Sequence, residues 1–369
     1  MNTLQRMSLA GFKSIREMHE LEFKPLNVLI GANGAGKSNL ISFFKLLNFV
    51  MTNSLKEYVA RAGYANSLLH FGSQQTKQIS ASLAFRMDRG KNTYELKLSH
   101  AAEDSLIFTE EAVTWHEDGH PHPARTVLGV GVEKTLLNDP ERQRSDPKVR
   151  VVRSLLSGAR VYQFHDTSAG GPLRSKWKVD DNRYLFDHGG NLAPLLFYLR
   201  EQKRETYDLI VGTIQQGAPF FEEFALQPDR LNPAVIDLRW REKGTAYELG
   251  PHQISDGTLR FMALVTLLSL PPEDLPKIII IDEPELGLHP SAIGILADLL
   301  RAASASSQVI VSTQSVTLVN QLSAEDVIVV DREGGQSVFR RLDETALKDW
   351  LAEYAMGELW EKNVLGGRP

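Results

Sequence analysis

The sequence predicts an α/β fold, a mostly parallel sheet flanked by helices, joined by an antiparallel β lobe and an α-rich insertion. Three observations predict it. Four short, continuously apolar runs stand toward the two ends of the chain, and each meets a loop: "LNVLIGANG" (26–34), "KIIIIDEPE" (277–285), "SQVIVSTQS" (307–315) and "EDVIVVDRE" (325–333). Continuous rather than alternating apolarity belongs to strands buried on both faces. Between these runs, "KSNLISFFKLLNFV" (37–50), "GTLRFMALVTLLSL" (257–270) and "SAIGILADLLRAASA" (291–305) repeat apolar residues at helical spacing. In the middle, "QISASLAFRM" (78–87), "NTYELKLSH" (92–100) and "SLIFTEEAVTWHE" (105–117) alternate as antiparallel strands do, the first two separated by "DRGK".

The 369 residues have room for one large domain or two ordinary ones, and 42% hydrophobic with 24% charged residues describes a globular chain rather than a disordered one. With no cysteine, disulfides, thiolate zinc sites and thiol catalysis are excluded. A net charge of -5 gives no global attraction to nucleic acid or anionic lipid. Apolar stretches such as Ile278 to Ile281 are far short of a membrane span, and "MNTLQRMSLAGFKSI" has no charged leader before an apolar core. A cytoplasmic protein that engages no membrane is expected. From about 121 to 190 the chain turns polar, and 191–216 returns to helical spacing. The expected organisation is an N-terminal lobe over 1–88, an inserted β/α region over 89–228 and a C-terminal lobe over 229–369.

The chemistry begins at Gly31-Ala32-Asn33-Gly34-Ala35-Gly36-Lys37-Ser38, which meets the phosphate-loop pattern G-x-x-x-x-G-K-[ST] at every fixed position. A strand ends before it and a helix starts near Lys37, the context that aims backbone N–H groups and the positive end of a helix dipole at phosphate. Lys37 would neutralise the outer phosphates and the Ser38 hydroxyl would ligate Mg²⁺. Ile278-Ile279-Ile280-Ile281 then delivers Asp282 to a strand end, where a carboxylate can serve the same metal; Glu283 follows, placed to orient or deprotonate water. Ahead of these acids, Ser255, Asp256 and Gly257 precede an apolar helix, and taken alone these residue types favour a plain helix N-cap.

Phosphate loop, long insertion, Ser-x-Gly helix start and Asp-Glu strand, in that order, resemble the ABC-type ATPase heads of the SMC, RecF and overcoming-lysogenization-defect group, including defence-associated bacterial AAA family ATPases. "MSLAGFKSI" resembles the family's first strand and its Phe-x-Ser element, and "GANGAGKSNL" its phosphate loop with Asn33 and Asn39. "ISDGTLR" looks like its signature and "IDEPELGLHP" like its Walker B and D-loop, with Gly287, Leu288, His289 and Pro290. "VIVSTQS" lies where the family has its switch strand. The motifs cover about the first 40 residues and most of 250–333, and leave the middle uncovered. The resemblance implies a P-loop NTPase that binds ATP and Mg²⁺ and pairs head-to-tail with itself, as a dimer or higher oligomer. Ser255, Asp256 and Gly257 of one head would face the nucleotide of the other, and Lys13 would reach the nucleotide as the basic residue at this place does in relatives, or else simply be exposed. Asp256 stands where the family's signature has a glycine, and Gln314 where its switch has a histidine. A glutamine amide can hydrogen-bond a phosphate or the attacking water, but it carries no charge and accepts no proton. No glutamine is assigned to the family's Q-loop, for which Gln74 and Gln75 in "FGSQQTKQ" are candidates.

Other features have plainer readings. "HEDGHPH" (116–122) reads as a polar loop after a strand, with a metal site as the alternative. Arg142, Arg144, Lys148, Arg150, Arg153 and Arg160 read as a solvated helix face, or else a phosphate-contacting stripe on DNA. Near the terminus, Leu359, Trp360 and Val364 either pack on the chain's own head or dock a partner. Fewer than 90 residues follow Glu283, fewer than the nuclease domain of overcoming-lysogenization-defect proteins requires, so a nuclease or toxin effector is expected to be a separate chain. The functional expectation is a defence ATPase that senses infection or scaffolds or restrains such an effector, with Glu283 as base and Gln314 slowing turnover. The alternatives are a RecF-like clamp acting directly on DNA and a nucleotide-gated module that hardly hydrolyses.

Overall fold

In a computed structural model describing residues 3–368, the chain forms two compact units. One comprises 1–160, 276–280 and 323–369, the other 161–275 and 281–322.

The first unit holds a six-stranded antiparallel sheet in the order Ile15–Glu22, Thr3–Phe12, Gln78–Met87, Gly90–Ala101, Ser105–Glu117, Ala124–Gly129. The alternation read in the sequence is what this register needs: Leu83 pairs with Tyr94 and Tyr94 with Val113, and all three are buried. Pairing runs on to Met87 and Gly90, so the connection is the two residues Asp88 and Arg89 rather than all of "DRGK". One carboxylate lies inside. Glu111 accepts hydrogen bonds from the Tyr94 hydroxyl at 2.7 Å, the Leu136 amide at 2.8 Å and the Thr135 hydroxyl. Burial pushes its carboxyl above the ordinary value against these donors.

The same unit holds the phosphate-loop strand Leu26–Ile30, buried at all five residues, as continuous apolarity predicts. Val327–Glu333 runs parallel to it, with Val327 opposite Val28, and Gln336–Arg341 closes antiparallel on the far side. The helix Lys37–Met51 presses Leu40, Phe43, Phe44 and Leu47 inward, with Phe43 edge-on to Phe12 at 5.5 Å between ring centres. The basic run divides between two helices, Pro140–Ser145 and Pro147–Ser157, each started by an aspartate cap and a proline. Val149, Val152, Leu155 and Leu156 face inward while Arg144 and Arg150 are exposed, the pattern of a solvated helix face. His116 is tied to the carbonyl of His120 at 3.0 Å. Near the terminus Leu359 and Trp360 are fully buried, and the Trp360 indole donates to the Gly367 carbonyl; of the three apolar residues there, only Val364 is exposed. The segment packs on its own unit.

The second unit combines helices with two small antiparallel sheets, one of Phe221–Phe224, Trp240–Glu242 and Glu248–Leu249 and one of Val235–Ile236 and Trp177–Lys178. The spacing over 191–216 resolves into two helices, Leu192–Gln202 and Arg204–Gly217, broken at Lys203. Lys203 turns its ammonium to Asp274 at 2.6 Å and Glu273 at 3.2 Å, a tertiary pairing with no helical period to betray it. The helix Asp256–Leu268 is buried continuously from Phe261 to Leu268, as a central helix must be. Pro290–Ser304 and the fully buried strand Gln308–Ser312 follow the acidic residues. Among the described residues no helix is long and apolar enough to cross a membrane.

Candidate functional site

In the first unit, the strand ending at Ile30 gives way to a loop that leaves Asn33, Gly34 and Ser38 exposed and buries Gly31, Ala35, Gly36 and Lys37. The Lys37 ammonium curls back to donate to the carbonyls of Gly31 and, at 3.1 Å, Ala32, so it stands over the loop instead of pointing into solvent. Gly36 has φ 120°, and a Cβ there would sit 2.0 Å from the Ser337 hydroxyl oxygen, so no other residue fits. A hydroxyl network braces the loop from behind: Ser337 bonds the Ala35 carbonyl and, at 2.6 Å, the Ser14 hydroxyl, which accepts from the Asn39 amide at 2.6 Å. Lys13 has φ 48°, a left-handed conformation for a long side chain, and its ammonium donates to Ser42 at 2.6 Å. Burial, with Lys45 adding to it, lowers its pKa.

In the second unit, Asp282 closes the strand Ile278–Asp282 and accepts from the Ser312 hydroxyl. The Glu283 amide donates to the Ser312 carbonyl at 3.0 Å, which fixes the strand's exit against Gln308–Ser312. Glu283 itself has φ 47°, an unfavourable backbone for a glutamate and of the kind that clusters at working sites. Its carboxylate accepts from the side-chain amide of Gln314. Sequence reasoning offered Gln314 a phosphate or the attacking water as partner; the structure pairs it with the candidate base. What holds Gln314 is a residue not singled out from the sequence. Glu285 accepts from the Thr313 hydroxyl at 2.6 Å and the Gln314 amide at 3.0 Å, and burial pushes its carboxyl above the ordinary value despite these donors.

The Ser255-Asp256-Gly257 turn is also in the second unit. Ser255 caps the helix, its hydroxyl accepting from the Thr258 amide at 3.2 Å, so the cap reading of this residue is structurally correct. Asp256 plays no capping part: it pairs with Arg174 at 2.7 Å. Gly257 is required by close approach, since a Cβ would lie 2.0 Å from the Gly287 carbonyl in "ELGLHP". Arg260, one turn on, donates to the carbonyls of Leu286, His165 and Phe164 at 3.0 to 3.1 Å. A pocket of about 110 Å³ opens at this helix start, lined by Ser255, Gly257, Thr258, Gly287, Leu288 and His289. Arg174, His165 and Arg260 bond mostly to main-chain carbonyls, which leave no mark in a sequence.

The loop's donor set suits a phosphate group: a glycine loop at a helix start, one ammonium above it and one exposed hydroxyl at Ser38. In the second unit, the strand-end carboxylate of Asp282 is of the chemical kind that serves a hard cation. The chain matches, over residues 26–320, the family model described as "AAA domain, putative AbiEii toxin, Type IV TA system". It is 40% identical over 373 residues to Old nuclease of Escherichia phage P2, covering 92% of this chain and 61% of that protein, so it spans about three fifths of that relative's length. Similar solved structures include an Smc head bound to the C-winged helix domain of ScpA, at TM-score 0.61 and 16% identity over 94% of this chain and 99% of that one. Another is a Pyrococcus furiosus Smc head with an extended coiled coil bound to the C-terminal domain of ScpA, at 0.59 and 16% over 96% and 99%. Both are likenesses of fold, and the ATPase-head architecture implied by the motifs is the architecture found.

Proposed function

The chain belongs to this AAA-domain family of AbiEii type, and on that premise we propose that it is a slow ATPase whose heads assemble around ATP. The observation that carries the proposal is the phosphate loop in place, a buried strand, Lys37 folded over the loop and the helix Lys37–Met51 behind it. Residues 31–39 cradle the phosphates, Lys37 neutralises their charge, and Lys13 contributes from the side. Ser38 and Asp282 would hold Mg²⁺, which would supply positive charge against the phosphates. Glu283 accepts a proton from water as its oxygen bonds to the γ-phosphorus, and the bond to the β-phosphate oxygen breaks to leave ADP and phosphate. Gln314 steadies the Glu283 carboxylate but cannot pass the proton on, which makes turnover slow. Ser255, Asp256 and Gly257 present a helix N-terminus to the nucleotide of a second, head-to-tail copy.

Gln314→Ala is expected to lower kcat about tenfold, and Gln314→His to raise it above that of the parent. Phosphate release under saturating ATP checks both. Unchanged rates in the two variants would remove any role for Gln314.

In this reading the assembly senses, scaffolds or restrains a separate effector, a nuclease or toxin, in antiphage defence. Its support is that a relative is named a nuclease and the family description names a toxin of a toxin–antitoxin system. The test is purification of the chain with the product of its neighbouring gene, with and without ATP. A nucleotide-dependent complex is expected; a lone chain in both conditions would sink the effector role, and ATP-dependent, salt-sensitive DNA binding would replace it with direct action on DNA.

A further inference from the structure

Asp256 places a carboxylate at the helix start where the proposed assembly brings a triphosphate from a second copy. Two anions at such a separation repel unless a cation stands between them or beside one of them. The backbone of the turn is held in place beside Asp256, because Gly257 is seated against the Gly287 carbonyl with no room for even a Cβ.

Arg174 answers this. It arrives from 82 residues earlier, at the end of an irregular stretch, and its side chain is 7% exposed against 59% for Asp256. The fork of its guanidinium is used on every side. Nη2 donates to Asp256 Oδ1 at 2.7 Å and to the Ile254 carbonyl at 3.1 Å, Nη1 to the Pro251 carbonyl, and Nε to the Thr167 carbonyl at 2.7 Å. A planar, permanently charged group with five fixed donors can meet four acceptors at once; a lysine ammonium cannot. The stretch that carries it is fixed at its other end too: His165 Nε2 donates to the Asp282 carbonyl at 2.9 Å, and Arg260 holds the carbonyls of Phe164 and His165. One short segment is thus tied both to the Ser255–Gly257 turn and to the strand that ends in the acids. The electrostatics agree with the geometry. Arg174, with the Thr167 hydroxyl adding to it, holds the Asp256 carboxyl below its ordinary value.

We propose that Arg174 is the positioning residue that makes this acidic turn usable: it neutralises Asp256 and fixes the Pro251 and Ile254 carbonyls, so that the helix start faces the nucleotide of a second copy. This rests on the head-to-tail assembly proposed above. Arg174 touches no substrate; it acts through the turn.

The experiment uses the full chain carrying Glu283→Gln as parent, with two readouts, affinity for a fluorescent ATP analogue and mass in solution as a function of ATP. Adding Arg174→Ala is expected to leave analogue binding within about twofold but to raise the protein concentration needed for assembly about tenfold or more. Adding Asp256→Asn to that variant is expected to recover most of the loss, because the unpaired carboxylate is gone. A purely structural clamp would not be rescued in this way. Assembly of the Arg174→Ala variant at the parent's concentration overturns the proposal, and a loss that Asp256→Asn does not repair overturns its electrostatic half. Should Arg174→Ala fail to fold, Arg174→Lys keeps the charge and loses the fork; a loss of about threefold supports the proposal, and parent-like assembly overturns it. A parent that never assembles with ATP removes the assembly reading itself, and this proposal with it, whereas a defect confined to the Arg174 variants bears on this proposal alone.

Discussion

Glu283→Gln is expected to lower kcat for ATP hydrolysis about a thousandfold while leaving ATP affinity within about twofold. The carboxylate leaves the strand Ile278–Asp282 at a fixed angle, its amide held by the Ser312 carbonyl and its side chain by Gln314. Glutamine has the same length and can keep a hydrogen bond to Gln314 after its amide turns, and it places no new demand on the left-handed backbone at φ 47°. What it loses is the capacity to take a proton from water. Binding, proposed to rest on the loop 31–39, is expected to be untouched. The same substitution should let ATP-bound assemblies accumulate, because the step that dissolves them is blocked. Single-turnover hydrolysis and analogue binding separate the two effects; hydrolysis at the parent's rate would assign the base elsewhere.

Lys37→Met is expected to weaken ATP binding about a hundredfold, equivalent to about 2.7 kcal/mol. The ammonium is buried to 5% exposure among the loop carbonyls, so it is already desolvated and pre-set over the loop. Methionine keeps the unbranched volume and removes the charge, which isolates the electrostatic part from packing. Titration calorimetry with ATP reads the loss, and an unchanged thermal midpoint shows that the loop still folds. Affinity equal to the parent's would mean that the phosphates lie away from Lys37.

The features legible from sequence share a cause. Leu26–Ile30, Ile278–Asp282 and Gln308–Ser312 are buried at every position, and that burial forces the apolar runs by which they were read. The phosphate loop was legible because its glycines answer to local backbone demands, as Gly36 shows against Ser337. Contacts made far along the chain left no such trace. Arg174 looked like one basic residue among many in a polar stretch, and its four acceptors are mostly carbonyls. Glu285 was hidden behind the two acids beside it, although it holds Thr313 and Gln314. The single helical reading over 191–216 missed the break at Lys203, whose ammonium pairs with Asp274 and Glu273 from elsewhere in the chain. Gln314 stood out in the sequence where the resembling family has a histidine, yet only the structure gives it Glu283 as a partner.

The most direct test of the account is the mass in solution of the Glu283→Gln chain with Mg²⁺ and ATP, compared with ADP and with no nucleotide. The account predicts a mass of two copies or more with ATP alone. The same single-copy mass in all three conditions would contradict it.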